Sequence, residues 1–238
     1  FILVILVNEK INNLSNLERK IQVPYKIIKI YKKPIKSRIL ALKKLSEINP
    51  RLIIFIDSDD IMKNNRVSEI CKNLKKNDFL VHNMKVFFKD KKINFLKKKN
   101  QSIFYNDIHR INFIGLSNLA VKYSKLKNYL NYSKKIEKLN AFDWYLAKRI
   151  LIDKIKGIYI SKVLTLYRIS NKDYFFKKKI DKIKLNKDLN IVIRNLNYFN
   201  SPRFQFCNKK TISEIKKKYS NKKHISANYN YQGWYSYL

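Results

Sequence analysis

"RLIIFIDSDDIM", residues 51–62, decides how the chain is read. An apolar run ends directly in Asp57-Ser58-Asp59-Asp60, three carboxylates within four positions. Such groups repel one another unless a cation or hydrogen bonds offset the charge. Acids are scarce here: 17 Asp and Glu stand against 53 Lys and Arg, for a formal net charge of +36. The simplest account has Asp59 or Asp60 capping the following helix while Asp57 ends a strand.

The neighbouring segments argue for more. Phe1–Val7 (FILVILV) reads as a fully buried strand. Leu14, Leu17 and Ile21 follow at helical spacing until Pro24, and YKIIKIY (25–31) is a second strand. Pro34 opens a helix with Ile35, Ile39, Leu42, Leu45 and Ile48 on one face, and Asn49-Pro50 stops it. RLIIFI is then a third strand. Strand alternating with helix implies parallel pairing, right-handed crossovers and a sheet covered on both faces.

Beyond the acids, RVSEICKNLKKN (66–77) is a helix with Val67, Ile70 and Leu74 inward, and DFLVHNMKVFF (78–88) is a fourth strand. Residues 89–112 read as basic and irregular. NAFDWYLAKRILI (140–152) begins a helix that Asn140 can cap, and GIYISKVLTLYRIS (157–170) is extended. From 171 the chain turns Lys-rich and helical, then ends in the aromatic tail NYNYQGWYSYL. The expected division is an α/β domain over 1–170 and a basic helical extension over 171–238.

Composition bounds the function. The 238 residues are 45% hydrophobic and 13% aromatic, enough for a sizeable core, which excludes a disordered polybasic tail. No apolar run approaches the ~20 residues of a membrane helix, and no secretory signal pattern is present. Cys71 and Cys207 are far apart, so neither a zinc site nor a disulfide framework follows, and a reduced cytoplasmic compartment is expected. The charge has two readings: a compositional bias rich in Lys, Asn and Ile, or an anionic partner such as nucleic acid or a membrane surface. Lysines spread along the whole chain favour bias.

In open α/β sheets, ligands bind at the carboxyl ends of the strands, where Asp57–Asp60 sit. Clustered carboxylates there suit a hard divalent cation, Mg²⁺ or Mn²⁺, which takes one or two carboxylates together with substrate phosphates.

At this point LIIFIDSDD resembles the metal-binding Asp-x-Asp segment of GT-A-fold glycosyltransferases of the inverting family 2 type. SRILALKKLSEINP looks like the helix before that motif, with Arg38 as its Arg. FIGLSNLAVK looks like the acceptor-side segment, and FDWYLAKRIL resembles the later Glu-Asp…Trp motif. Asp143-Trp144 match there, but Phe142 replaces the Glu. LTLYRIS resembles a strand ending in Tyr-Arg-x-His, with Arg168 matching and Ile169 where the His would fall. The match runs over about residues 1–171, and the shared order is more specific than any one motif. ILVILVNEK aligns with the family's second strand, which places Asn8 and Glu9 where nucleotide-holding acids sit. The first strand would then be missing, so the chain is expected to be either an N-terminal truncation or a degenerate domain.

The resemblance implies a mixed sheet flanked by helices and a transfer of sugar from a nucleotide-diphospho-sugar. It implies Asp59 as metal ligand, with Asp57 second or facing the ribose, and Asp60 as a mere cap. It implies Asp143 as general base and Arg38 and Arg168 at phosphate oxygens, with Asn8 on the nucleotide. Burial beside Trp144 would raise the pKa of Asp143 and the helix end would lower it. The implied acceptor is a saccharide or lipid-linked molecule of surface polysaccharide or lipopolysaccharide synthesis, with the 171–238 part resting on an anionic membrane. Two other readings compete: a basic nucleic-acid-binding protein, though without a recognisable signature for one, and a catalytically inactive scaffold of the same family.

Overall fold

The computed structural model describes residues 2–7, 18–88, 91–96, 98–109, 112–131, 133–139, 141–169, 179–199, 209–219 and 224–226. Strands β1 (Leu3–Val7) and β2 (Tyr25–Lys29) pair in parallel, as the alternation implies. Helix α1 (Pro34–Lys44) starts with Pro at its first turn, where the missing N–H is no loss, and continues into a 3-10 turn at Leu45–Glu47. The chain escapes this helix through Asn49, whose φ of 46° is the left-handed conformation that Asn tolerates. The buried Ser37 hydroxyl donates to Ile30 O and Lys32 O, which ties α1 to the end of β2.

A seven-stranded mixed sheet forms the centre. Its members are β3 (Leu52–Ile54), β4 (Ile61–Met62), β5 (Phe79–Phe88), β6 (Lys91–Asn94), β7 (Gln101–Ile103), β8 (Leu119–Lys122) and β9 (Gly157–Arg168). The main order is β3-β8-β5-β9-β4, with β6 on β5 and β7 on β9. β5 and β9 run in parallel, and the other pairs of this sheet are antiparallel.

Two sequence expectations are corrected here. β3 hydrogen-bonds antiparallel to β8, and among the described residues it does not pair with β1 or β2. It is therefore an edge strand, and its apolar side chains are only half-buried. Apolar continuity alone does not distinguish such an edge from a central strand. The stretch read as irregular contains β6, β7 and the short helix α3 (Tyr105–Ile108), which follows α2 (Arg66–Asn73) in the chain. The lysine-rich β6 pairs beside β5 off the main strand path, where charge is tolerated, and the uncharged three-residue β7 pairs beside β9.

The sheet has a core on each face. On one side Phe79, Val81 and Tyr159 pack with Ile35, Ile39 and Leu42 of α1. On the other, Leu80, Ala120, Ile160 and Leu164 meet Ile70 and Leu74 of α2. The alternation of Phe79, Leu80 and Val81 between the two cores is the period-2 pattern of a strand covered on both faces. After the short helices α4 (Tyr123–Leu126) and α5 (Lys134–Glu137), helix α6 (Phe142–Ile152) lies in the larger core. Its N-cap position is Ala141, without a side-chain cap, and Asn140 lies outside the described residues. Trp144 is fully buried in the core, and its Nε1–H donates to Ile108 O. Helix α7 (Lys182–Tyr198) joins this same core through Ile191, Val192 and Leu196, and α8 (Lys209–Tyr219) through Ile212. β10 (Lys179–Asp181) and β11 (His224–Ser226) form a separate antiparallel pair. The aromatic tail lies outside the described residues.

Candidate active site

The acidic stretch is a turn at the end of β3, closed by Asp60 N–H donating to Asp57 O at 3.1 Å. Neighbours hold it on several sides. Asp57 N–H donates to Ser117 Oγ at 2.9 Å, from the turn that precedes β8. Arg168 at the end of β9 donates its N–H to Asp60 Oδ1 at 2.7 Å and its Nε–H to Asp59 O at 2.9 Å. Its guanidinium also lies over the Phe87 ring at 4.9 Å.

The capping account of Asp59 and Asp60 does not hold. Helix α2 begins at Arg66 with Asn65 in the N-cap position, well downstream of both acids. Asp60 instead clamps the end of β9 to the turn. Loss of solvent pushes its carboxyl up to about 6, against the nearby Ser117 hydroxyl and the Arg168 N–H bond, and the charges of Asp57 and Asp59 push the same way.

Two residues distant in sequence, Arg38 and Asp143, lie near Asp57 of this turn. Arg38, from the middle of α1, places Nη2 3.5 Å from Asp57 Oδ1. Both side chains are 38% exposed, so the pair is weak and open to exchange for a ligand. Asp143, in the first turn of α6, is half-buried and feels both of them electrostatically. Desolvation pushes its carboxyl up to about 6, Trp144 N–H and Arg38 oppose the rise, and the Asp57 charge adds to it. The competition expected between burial and the helix end is therefore won by burial. A carboxyl with this pKa, exposed on one side, accepts a proton near neutral pH.

Among the described residues, no group of three or more His, Cys, Asp or Glu is placed to hold a metal ion. The donor set at the turn is two carboxylates, Asp57 and the exposed Asp59. That set fits a Mg²⁺ or Mn²⁺ whose coordination is completed by substrate phosphates and water, and it does not fit a protein-only cage. Asn8 lies outside the described residues.

Comparison with solved structures gives the fold its name. The chain superposes on S. aureus TarS 1–349 in complex with UDP-GlcNAc with a TM-score of 0.57 at 15% identity, covering 89% of this chain and 66% of that one. For the same protein in complex with UDP the values are 0.56 and 16%, covering 85% and 63%. TarS has a GT-A-type fold.

The chain has a GT-A-type fold.

It spans just under two thirds of the length of those TarS structures. No protein-family model and no curated protein matches the sequence. Within this GT-A-type fold, Arg38 pairs with Asp57, both charges act on Asp143, Asp59 shares the turn with Asp57, and Arg168 holds that turn from the end of β9. Arg66 escaped the sequence reading. It is fully buried at the start of α2 and donates Nη2–H to Phe55 O at 2.6 Å, two residues before Asp57. A signal for it exists in the sequence: Arg66, Ile70 and Leu74 recur every four positions, on one helix face.

Proposed function

We propose that the chain is a glycosyltransferase that moves a sugar from a nucleotide-diphospho-sugar to a saccharide or lipid-linked acceptor with inversion at the anomeric carbon. The observation that supports this reading is the Arg38–Asp57 ion pair at the end of β3, near enough to Asp143 for both charges to act on it, within a GT-A-type fold. The TarS structures, whose ligands are UDP-GlcNAc and UDP, support the class of donor. Residues 1–170 carry the chemistry, and 171–238 form the basic extension.

The reaction is a single displacement. Asp143 takes the proton of the acceptor hydroxyl. The acceptor oxygen bonds to the anomeric carbon from one face as the carbon–oxygen bond to the diphosphate breaks on the other. The nucleoside diphosphate leaves with that electron pair. Arg38 donates to the diphosphate oxygens when a donor displaces Asp57 from its weak ion pair, and Arg168 supplies a second guanidinium at the turn. Asp59 and Asp57 would hold Mg²⁺ or Mn²⁺, with Asp57 also facing the ribose. When bound, the cation supplies charge neutralisation for the leaving diphosphate.

No described helix is long and apolar enough to cross a membrane. We place the enzyme in the cytoplasm, with its Lys-rich C-terminal part on the inner membrane face near a lipid-linked acceptor of surface polysaccharide synthesis. The test is a transfer assay over a panel of sugar nucleotides with Mn²⁺, comparing the wild type with Asp143→Asn. Transfer that needs Asp143 supports the reading, and transfer unaffected by the substitution overturns its catalytic assignment.

A further inference from the structure

Behind the acidic turn, on the α2 face of the sheet, four polar atoms are buried without a protein hydrogen-bond partner among the described residues. They are Asp60 Oδ2, Arg66 Nε and Nη1, and His82 Nε2. Arg66 and His82 are both fully buried. The three side chains come from different elements: the turn, the start of α2 and the middle of β5. They are close enough for the charge of Arg66 to act on His82 and that of Asp60 on Arg66.

The strand pattern explains the convergence. Leu80 and His82 share one face of β5, and Leu80 packs in the α2-side core. The register between β5 and β9 shifts at His82/Asn83 and again at Asn83/Met84. Such irregularities re-aim side chains and are frequent beside functional sites.

The chemistry of the four atoms is complementary. His82 Nδ1 is 2.8 Å from Asn83 O, which only its N–H can satisfy, so Nε2 is an acceptor. Asp60 Oδ2 is a second acceptor, while Arg66 Nε and Nη1 are donors. Donors and acceptors are matched in kind, but they do not bond directly. A water molecule that accepts from a guanidinium N–H and donates to acceptors is the smallest group able to join them, and buried waters with two to four such partners are ordinary parts of folded proteins.

We propose that Arg66 is the positioning residue of the acidic turn, locked in place by ordered internal water that joins its free N–H groups to Asp60 Oδ2 and His82 Nε2. Its remaining nitrogen, Nη2, then fixes Phe55 O from behind and sets where Asp57 and Asp59 stand in front. The proposal rests on the reading of those two acids as cation and nucleotide ligands.

The test combines three readouts on the full chain. A high-resolution crystal structure of the wild type is expected to show ordered water within hydrogen-bond distance of Arg66, Asp60 Oδ2 and His82 Nε2. A dry chamber closed by a direct Arg66–Asp60 pair would overturn the water assignment. Arg66→Met is expected to weaken binding of UDP with Mn²⁺ by about tenfold or more, with Arg66→Lys, which still reaches Phe55 O, recovering most of it. Unchanged affinity in a folded Arg66→Met protein overturns the positioning role. Amide exchange over residues 55–60, measured without nucleotide, is expected to be about tenfold faster in Arg66→Met, and equal exchange overturns the role as well. This last readout separates the two claims: a wild type that binds no nucleoside diphosphate sinks the functional reading alone. Should Arg66→Met fail to fold, His82→Leu takes its place in the exchange measurement, with faster exchange over 55–60 expected and equal exchange again contradictory.

Discussion

Asp57 and Asp60 stand three residues apart in one turn, yet their surroundings differ. Asp57 faces forward, half-exposed, toward Arg38 and the start of α6. Asp60 is clamped to β9 through Oδ1, and its other oxygen is buried toward Arg66. The forward acid sits in a weak ion pair that a ligand can replace. The rear acid belongs to a buried polar array in which every lost partner leaves another group unsatisfied. One turn thus separates the proposed surface for chemistry from the proposed anchor for geometry.

Substitutions that break this contrast should differ in what they change. The largest effect is expected for Asp143→Asn, which removes the proton acceptor while keeping the shape of the side chain. Transfer should fall by about 10²–10⁴ in kcat, the usual span for a general base. Melting should move the other way. The folded-state pKa of Asp143, about 6, lies above its ordinary value of 3.8, so the folded protein binds this proton more tightly than the unfolded chain. Stability from this group is present at low pH and is lost as pH rises from about 4 to about 6. Asp143→Asn should therefore raise the melting temperature at pH 7.5 and leave it nearly unchanged at pH 4. A variant that is both inactive and less stable at pH 7.5 would contradict the desolvation argument.

The wild-type rate should follow the same group with the opposite sense. As the proposed base, Asp143 works ionised, so kcat/KM should rise as pH climbs through about 6 and level off above it. A flat profile from pH 5 to pH 8, with chemistry rate-limiting, would remove Asp143 from the proton transfer.

A comparison of the two acids of the turn comes next in size. Asp57→Ala should weaken cation-dependent nucleotide binding by about tenfold, near 1.4 kcal/mol, with little change in urea stability. Asp60→Ala leaves Arg66 without its nearby charge and Arg168 N–H without its acceptor. It should lower stability by about 1–3 kcal/mol in urea unfolding. Equal effects of both substitutions on both measurements would erase the contrast. The smallest effect is expected far from the turn: Glu47→Gln breaks an exposed ion pair with Lys26 and should leave melting unchanged.

The forward half of the site was legible because it is written in local signals. Pro34 and the apolar spacing placed α1, Asn49-Pro50 ended it, and the apolar run into Asp57 marked a strand end. Resemblance of order then linked Arg38, Asp57 and Asp143. The rear half was not read because it depends on two periodicities at once. Arg66 must be counted with Ile70 and Leu74 on a helix, and His82 with Leu80 on a strand. A lone arginine at a helix start otherwise looks like a solvated charge. The sheet was misread for a related reason. The residues of β1 and β3 are equally apolar, and only long-range pairing decides that β3 runs against β8 at an edge. Lysine-rich β6 carries charge that hides a short edge strand, and β7, three residues long, is too short to show a strand period.

The measurement that tests the central claim most directly is calorimetric titration of UDP and GDP into the wild type, Asp57→Ala and Asp59→Ala, each with Mn²⁺ and with chelator. The account predicts that the wild type binds one of the two nucleotides only with the cation, and that each substitution weakens that binding by about tenfold or more. Binding that ignores both the chelator and the loss of either carboxylate would contradict it.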